Sequence, residues 1–477
     1  MTSSAPAVGR IAFVDTELSA SPVCRHGPTL LLQDVDTNGR YYCCSSCRKR
    51  KDCDFHMTEE EWIVTQSKPK LMAKYRRRVS HLMATESEKY FYDKRVKQLE
   101  RMEFCRNCSL IISTTDSLSD HKTHELMCGI SGRQLRRPTK LMNSLTDNRF
   151  CAQYLFSKQT IRTHELMCGI SGRQLRRPTK LMNSLTDNRF CAQYLFSKQT
   201  IRVLMNEILV KNQFSRVVCI GCPSLHEYID CHKNALNMKS LLLDIDCRYK
   251  QFYSPKKYLK YNLFNNYFFG GVKDEKTFRR FIANSVKEPI VVLIDPPFGG
   301  LIDPMAKTID KISEIWRKYH QISDESIKIP VLLFFPYFNE HRIKTTIPVL
   351  SMSDFMVDYE NHRKFKATDS GRKFGSPVRI FTNIKLSSIV LPETDGYYYC
   401  DYCEKYISEN NKHCFECNDC TARDGKPYNH CYQCKRCVKN TWNHCNRCGY
   451  CHLIQHSCTR HPFEDKSEII VNKKRKH

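Results

Sequence analysis

Between residues 190 and 390 the chain alternates short, almost wholly apolar runs with longer helix-forming stretches. The runs are RVVCIG (216–221), SLLLDID (240–246), PIVVLID (289–295), IPVLLFFPYF (329–338) and PVRIFTNI (377–384). They are rich in β-branched residues and bounded by turn formers, with no polar alternation, which predicts strands buried on both faces. Such strands separated by helical segments predict an α/β, doubly wound domain over 190–390.

Outside that domain the pattern changes character. Residues 1–20 hold no strong periodic run and are expected to be disordered. Residues 57–104 are charged and helix-forming, as in EEEWIVTQSKPKLMAKYRRRVSHLM, and read as a helical linker. Three Cys/His-rich segments, 21–56, 105–124 and 397–461, are too small to hold an apolar core. A basic tail, 462–477, ends the chain. The forty residues at 123–162 recur letter for letter at 163–202. Solenoid repeats keep only their packing positions, so an identical pair reads as a recent duplication or an assembly error, one copy being an inserted loop.

Charge narrows the partners. Lys and Arg outnumber Asp and Glu by 76 to 50, a net +26, which points to a polyanion and to nucleic acid before a membrane surface. No apolar run is long enough to cross a bilayer, and the start MTSSAPAVGR lacks the apolar segment of a signal peptide. An intracellular protein is therefore expected, with its 27 cysteines serving as zinc ligands rather than disulfides. The terminal KKRKH fits a nuclear targeting run, although a short basic end is more commonly just solvated.

The cysteine spacings carry the metal chemistry. In the last segment HCxxCxxC occurs three times, at His413–Cys420, His430–Cys437 and His444–Cys451, preceded by Cys400 and Cys403 and followed by His456 and Cys458. Written out, the candidate ligands are Cys400, Cys403, His413, Cys414, Cys417, Cys420, His430, Cys431, Cys434, Cys437, His444, Cys445, Cys448, Cys451, His456 and Cys458. That is enough for three or four zinc ions, but spacing alone leaves the pairing open. Cys448, Cys451, His456 and Cys458 resemble a CCHC knuckle with a shortened last interval. Cys105, Cys108, His121 and His124 have the form of a C2H2 finger with its histidines set one residue closer than usual. The first segment, CRHG followed by GRYYCCSSCRKRKDCDFH, resembles a GRF-type finger. That resemblance puts the ligands at Cys24, His26, Cys44 and Cys53; the residues alone leave Cys43, Cys44 and Cys47 open as the third.

The strand PIVVLID runs into DPPF, so Asp295, Pro296, Pro297 and Phe298 are presented on a stiff loop at a strand's carboxyl end, where open α/β sheets place their ligands. A helix cap followed by a tight turn is the plain alternative for an isolated Asp-Pro-Pro. SLLLDID ends in acids, and a carboxylate there can accept hydrogen bonds from a ribose diol; Asp244 is chosen over Asp246 because it directly follows the apolar run.

RVVCIGCPSLHEYI resembles the first cofactor loop of S-adenosylmethionine (SAM)-dependent methyltransferases, which places Gly221 and Ser224 against the cofactor. With YNLFNN, whose Asn262 and Leu263 fall where such enzymes read the cofactor adenine, and with DPPF, the order resembles adenine-N6 methyltransferases. There the Asp295 carboxylate, also near the cofactor, and the Pro296 carbonyl would accept hydrogens of an exocyclic amine, and Phe298 would stack on a flipped-out adenine. The upstream AQYLF resembles a SAM-contacting segment of the same class, which implies roles for Gln193, Tyr194, Leu195 and Phe196; the copy at 152–156 carries the same letters. The whole order of modules is similar to that of CCHC-zinc-finger ribosomal RNA adenine-N6 methyltransferases. That resemblance implies SAM and structural Zn2+ as cofactors, an adenosine of large-subunit rRNA as target, no membrane partner, and the nucleus and nucleolus as place of work, with the cytoplasm also open. The rival expectations are an RNA-binding scaffold with an inactive methyltransferase domain, and DNA as substrate.

Overall fold

The computed structural model describes residues 11–14, 17–47, 53–87, 102–105, 110–113, 126–127, 176–182, 193–361, 376–453, 455, 456 and 458. Within the α/β domain the strands are β1 (Arg216–Ile220), β2 (Lys239–Asp244), β3 (Tyr258–Asn262), β4 (Tyr267–Phe268), β5 (Ile290–Ile294), β6 (Val331–Pro336), β7 (Ser351–Met352) and β8 (Val378–Thr382). They form one eight-stranded sheet in the order β4-β3-β2-β1-β5-β6-β8-β7. Strands β3, β2, β1, β5 and β6 are parallel, with Val218 opposite Leu241 on one side and Val292 on the other. β4 and β8 join antiparallel.

The apolar runs behave as strands covered on both sides. Val217 and Cys219 point to one face, where they pack with Leu225 and Ile229 of α1 (Pro223–Leu236). Val218 and Ile220 point to the other, against Phe278 and Ile282 of α2 (Val272–Ala283) and Met305, Ile309 and Ile312 of α3 (Ile302–His320). Alternation of side chains along a strand divides each run between the two cores. The five predicted strands are present; of the other three, β4 and β7 are only two residues long, and β3 carries a lysine and a terminal asparagine that break the apolar run.

The N-terminal segment is not disordered throughout. Ile11–Val14 adds as an edge strand to Leu30–Asp34, completing a four-stranded antiparallel finger sheet with Arg40–Cys43 and His56–Thr58. Four consecutive apolar or small residues suffice where a neighbouring strand supplies the pairing. The expected linker also packs. Helix Glu59–Ser67 starts at a capping box of Thr58 and Glu61 and buries Trp62, whose indole N–H donates to the Ala20 carbonyl at 2.8 Å. Helix Pro69–Ser87 follows, and its Tyr75 hydroxyl donates to the Val23 carbonyl at 3.1 Å. The last Cys-rich segment is a string of two-stranded hairpins. Its first hairpin docks on the α/β domain: Asp354 accepts from the Ser408 amide at 2.7 Å and from the Asn411 side chain at 3.1 Å.

Candidate active site and zinc centres

The sheet order turns outward in both directions from β1 and β5, so the crevice between their carboxyl ends is a topological switch point. Two loops meet there. The Asp295 amide donates to the Ile220 carbonyl at 3.0 Å, which draws the DPPF loop over the turn after β1. Gly221 makes that approach geometrically open: its φ is +67°, and a Cβ in its place would lie 2.6 Å from the Asp295 carbonyl oxygen. Only a residue without a side chain fits a left-handed backbone this close to another chain segment.

Asp295 is a buried carboxyl. Burial pushes it well above the usual carboxylate range, and the Tyr359 hydroxyl, which donates to Oδ1 at 2.9 Å, pulls it back down. Next to it Tyr194 stacks on Phe298 with ring centroids 5.2 Å apart, and Tyr359 meets Phe298 edge-on at 6.1 Å. Asp244, at the end of β2, is raised to about 7 by burial first and by the neighbouring Asp246 second. Asp246 is spent on Arg248, whose guanidinium grips it at 2.7–3.1 Å, while Asp244 accepts the Asp246 amide on one oxygen. Of the two acids, Asp246 holds the ion pair with Arg248, while Asp244 is steadied by backbone amides and by Arg248 at longer range. The glycine turn, the strand-end carboxyl and the rigid DPPF loop share one crevice, which fits a nucleoside-bearing methyl donor such as SAM: Gly221 admits close approach and Asp244 can accept from a ribose diol.

The other expected cofactor residues take varied places. Gln193 donates to the Tyr249 hydroxyl at 3.1 Å. Leu195 has both backbone groups engaged, its amide by Asn361 Oδ1 at 2.8 Å and its carbonyl by the Glu360 amide at 2.9 Å. Phe196 belongs to the core, with its ring 4.8 Å from that of Phe334 and its amide held by Ser224 Oγ at 3.2 Å. Leu263 is buried, and its carbonyl accepts from Thr308 at 2.6 Å.

Asn262 does not offer its side chain to an adenine edge. Its amide nitrogen donates at 2.7 Å to both the His26 carbonyl and Ser45 Oγ, and its Oδ1 accepts from the Phe264 amide at 3.0 Å. Asn265 donates to the Pro28 carbonyl at 2.6 Å, and the Gly27 turn closes on the Tyr267 ring. Residues 262–267 are thus the seat of the N-terminal finger. A residue's neighbours 236 positions away are invisible to local patterning, which is why a polar end of β3 read as a ligand contact.

The structure gathers Cys24, His26, Cys44 and Cys53 into one cluster whose ligand atoms all lie within 4.8 Å of one another. Cys47 stands beside it, donating its amide to Cys44 Sγ at 3.2 Å. Four further clusters follow: Cys400, Cys403, His413 and Cys420; Cys414, Cys417, His430 and Cys437; Cys431, Cys434, His444 and Cys451; and Cys445, Cys448, His456 and Cys458. They interleave. His413 and Cys414 are neighbours in the chain yet serve different clusters, as do His430 with Cys431 and His444 with Cys445. Each pair lies on a strand, where successive side chains point to opposite faces. Sulfur–sulfur distances of 3.5 Å (Cys400–Cys420), 3.8 Å (Cys417–Cys437), 3.6 Å (Cys434–Cys451) and 3.9 Å (Cys445–Cys458) match the ~3.8 Å edge of a tetrahedron with Zn–S bonds of about 2.3 Å. The clusters fit zinc. Of the C2H2-like set, Cys105 lies on a strand, and Cys108, His121 and His124 fall outside the described residues, as does the AQYLF copy at 152–156.

Residues 187–385 match a family model described as "Probable N6-adenine methyltransferase". The chain is 37% identical over 413 residues to the rRNA N(6)-adenosine-methyltransferase ZCCHC4 of Homo sapiens, spanning 85% of this chain and 72% of that protein. The chain belongs to the rRNA N(6)-adenosine-methyltransferase ZCCHC4 family. The ZCCHC4 proteins of Mus musculus and Xenopus tropicalis are 35% and 36% identical, with 72% and 74% of their lengths covered. The family model begins at residue 187, inside the second copy of the duplication, of which residues 176–182 and 193–202 are described. Its Thr179 is buried against α1, donating through amide and hydroxyl to Glu227 at 2.8 and 2.7 Å, and its Tyr194 stacks on Phe298 of the DPPF loop. Tyr359 and Asn361 were not anticipated for this ZCCHC4 family member; they follow no motif and reach the site only through tertiary contact.

Proposed function

We propose that the protein transfers a methyl group from SAM to the N6 nitrogen of an adenosine in ribosomal RNA, the target lying in the large-subunit rRNA. The observation that carries this reading is the intact DPPF loop, held by the Ile220 carbonyl at the switch point of the sheet with Asp295 in it. SAM, when bound, supplies an electrophilic methyl group. The exocyclic amine of adenine is a weak nucleophile because its lone pair is delocalised into the ring. Acceptors that draw on its hydrogens favour a pyramidal nitrogen, and the Asp295 carboxylate and Pro296 carbonyl are placed on a loop too stiff to swing away. As the nitrogen lone pair forms the N–C bond, the methyl–sulfur bond would break with its electron pair left on sulfur as S-adenosylhomocysteine; the amine, now acidic, gives up one proton, which Asp295 can pass to water. Phe298 supplies a ring face for a base taken out of its stack.

The zinc modules belong to the same function as RNA-binding surfaces around the catalytic domain, and a net charge of +26 supports a phosphate-rich partner. The nucleus and nucleolus are the proposed place of work; a fluorescent fusion excluded from nuclei argues against it. The decisive assay supplies labelled SAM with large-subunit rRNA fragments, small-subunit rRNA fragments and single-stranded DNA. Methylation of the first alone is expected, with Asp295→Ala abolishing it while RNA binding stays near normal. Tight RNA binding without transfer would favour the scaffold reading, and preferential labelling of DNA the DNA enzyme.

A further inference from the structure

We propose that Tyr359 is a positioning residue for the methyl transfer: its hydroxyl occupies Asp295 Oδ1 and thereby dedicates Oδ2 to the amine hydrogen of the substrate adenine. The inference rests on the reading of Asp295 as the amine acceptor. A carboxylate has two equivalent oxygens and rotates about its Cβ–Cγ bond, so a loop that fixes the backbone of Asp295 still leaves the acceptor's direction undetermined. A hydrogen bond of 2.9 Å from a fully buried tyrosine removes that freedom.

The tyrosine is itself held on several sides. Tyr359 forms a β-bridge with Phe196. Around the bridge, the Ser197 amide donates to the Asp358 carbonyl and the Glu360 amide to the Leu195 carbonyl, both at 2.9 Å. Asn361 closes the same zipper by donating to the Gln193 carbonyl at 2.7 Å. The ring stacks on Phe196 at 5.4 Å and meets Tyr194 at 5.7 Å. A side chain 64 residues from Asp295 is thus delivered by a single β-bridge and its flanking hydrogen bonds to the Gln193–Ser197 segment.

The hydroxyl also acts on charge. Burial favours the protonated carboxyl, which would present a donor where an acceptor is needed, and a hydrogen bond to the ionised form opposes this. Among the described residues, the titratable groups bearing on Asp295 are Tyr359 itself and the buried Cys222 thiol at the head of α1, and neither brings a positive charge. The tyrosine hydroxyl is therefore the group that favours the ionised carboxyl against the effect of burial.

The test compares wild type, Tyr359→Phe, Asp295→Asn, the double variant and Asn361→Ala, measuring kcat, SAM and RNA affinity, the pH–rate profile and thermal stability. Tyr359→Phe should lower kcat about tenfold or more, in the range of a positioned proton-handling group. SAM and RNA affinities should stay within about twofold, and the acidic limb of the profile should move to higher pH. In the Asp295→Asn background the same substitution should change the residual rate less than about twofold, the signature of coupled residues. Asn361→Ala loosens the zipper but keeps the hydroxyl, so it should lower thermal stability without moving the limb. An unmoved limb in Tyr359→Phe, a limb moved equally by Asn361→Ala, or an equal loss with and without Asp295 overturns the inference. Full activity of Asp295→Asn overturns instead the reading of Asp295 on which it rests.

Discussion

Gly221→Ala is the substitution whose effect can be worked most directly from the geometry. A methyl group at this position would stand 2.6 Å from the Asp295 carbonyl oxygen. Comfortable contacts between non-bonded heavy atoms begin near 3.5 Å, a shortfall of roughly 0.9 Å. Neither segment can retreat freely, because the Gly221 amide donates to the Leu243 carbonyl and the Asp295 amide to the Ile220 carbonyl, both at 3.0 Å. Relief therefore costs one of these hydrogen bonds, about 1 kcal/mol, in addition to about 1–2 kcal/mol for a non-glycine residue at φ +67°. The expected loss is ~2–3 kcal/mol, which for a domain of this size lowers Tm by about 4–12 °C. The larger effect is on rate: displacing the DPPF loop by somewhat under 1 Å should reduce kcat about 100-fold. Methyl transfer from labelled SAM and differential scanning calorimetry measure the two. Gly271→Ala is the control, since Gly271 has φ +59° but nothing within 4 Å of an added Cβ. It should cost about 1–2 kcal/mol of strain and leave kcat unchanged. If Gly221→Ala keeps wild-type kcat, or if the two variants behave alike, the close approach of the loops has no part in catalysis.

Three further outcomes are expected. Asn262→Ala removes the Asn262 donor from the His26 carbonyl and from Ser45 Oγ, which keeps Asn265 as its other donor, weakening the seat of the finger by about 1–2 kcal/mol; limited proteolysis should then release the N-terminal module sooner than from wild type, and equal protection would refute the assignment. The purified chain should carry at least five zinc ions by elemental analysis, one for each described cluster, and His413→Ala and Cys414→Ser should disturb different ions, seen by cobalt substitution as losses from separate modules. Asp244 with its carboxyl raised to about 7 should make SAM affinity rise with pH through neutrality, because the ionised form is the acceptor for a ribose diol. The sign for stability is opposite: a carboxyl raised on folding binds more protons in the native state between pH ~4 and ~7, so its contribution falls as pH rises through that window. Asp244→Asn should flatten both dependences, and a SAM affinity independent of pH between 5 and 8 in wild type would count against the role.

Much of the catalytic domain is legible from local pattern because its parts are local. A strand buried on both faces must be a continuous apolar run, so Ile290–Ile294 and Val331–Pro336 announce themselves, and a loop that must be stiff must contain prolines, so DPPF does too. Asp244 is marked by its place at the end of such a run. Asn262 shows where the same logic stops. It too ends a strand, but its neighbours are His26 and Ser45, and the polar side chain serves the docking of one module on another.

The sequence by itself determined which residues can bind metal and five of the eight strands of the sheet, and it marked the DPPF loop as the candidate site, since each follows from residue chemistry and short-range spacing. The tertiary structure alone decided which ligands cluster together, which module Asn262 holds and which tyrosine meets Asp295. In all three the partners are side chains brought together across the chain: His413 and Cys414 part because a strand turns them to opposite faces, and Tyr359 reaches Asp295 because a β-bridge to the Gln193–Ser197 segment carries it there. No local property of a residue encodes a neighbour supplied by folding.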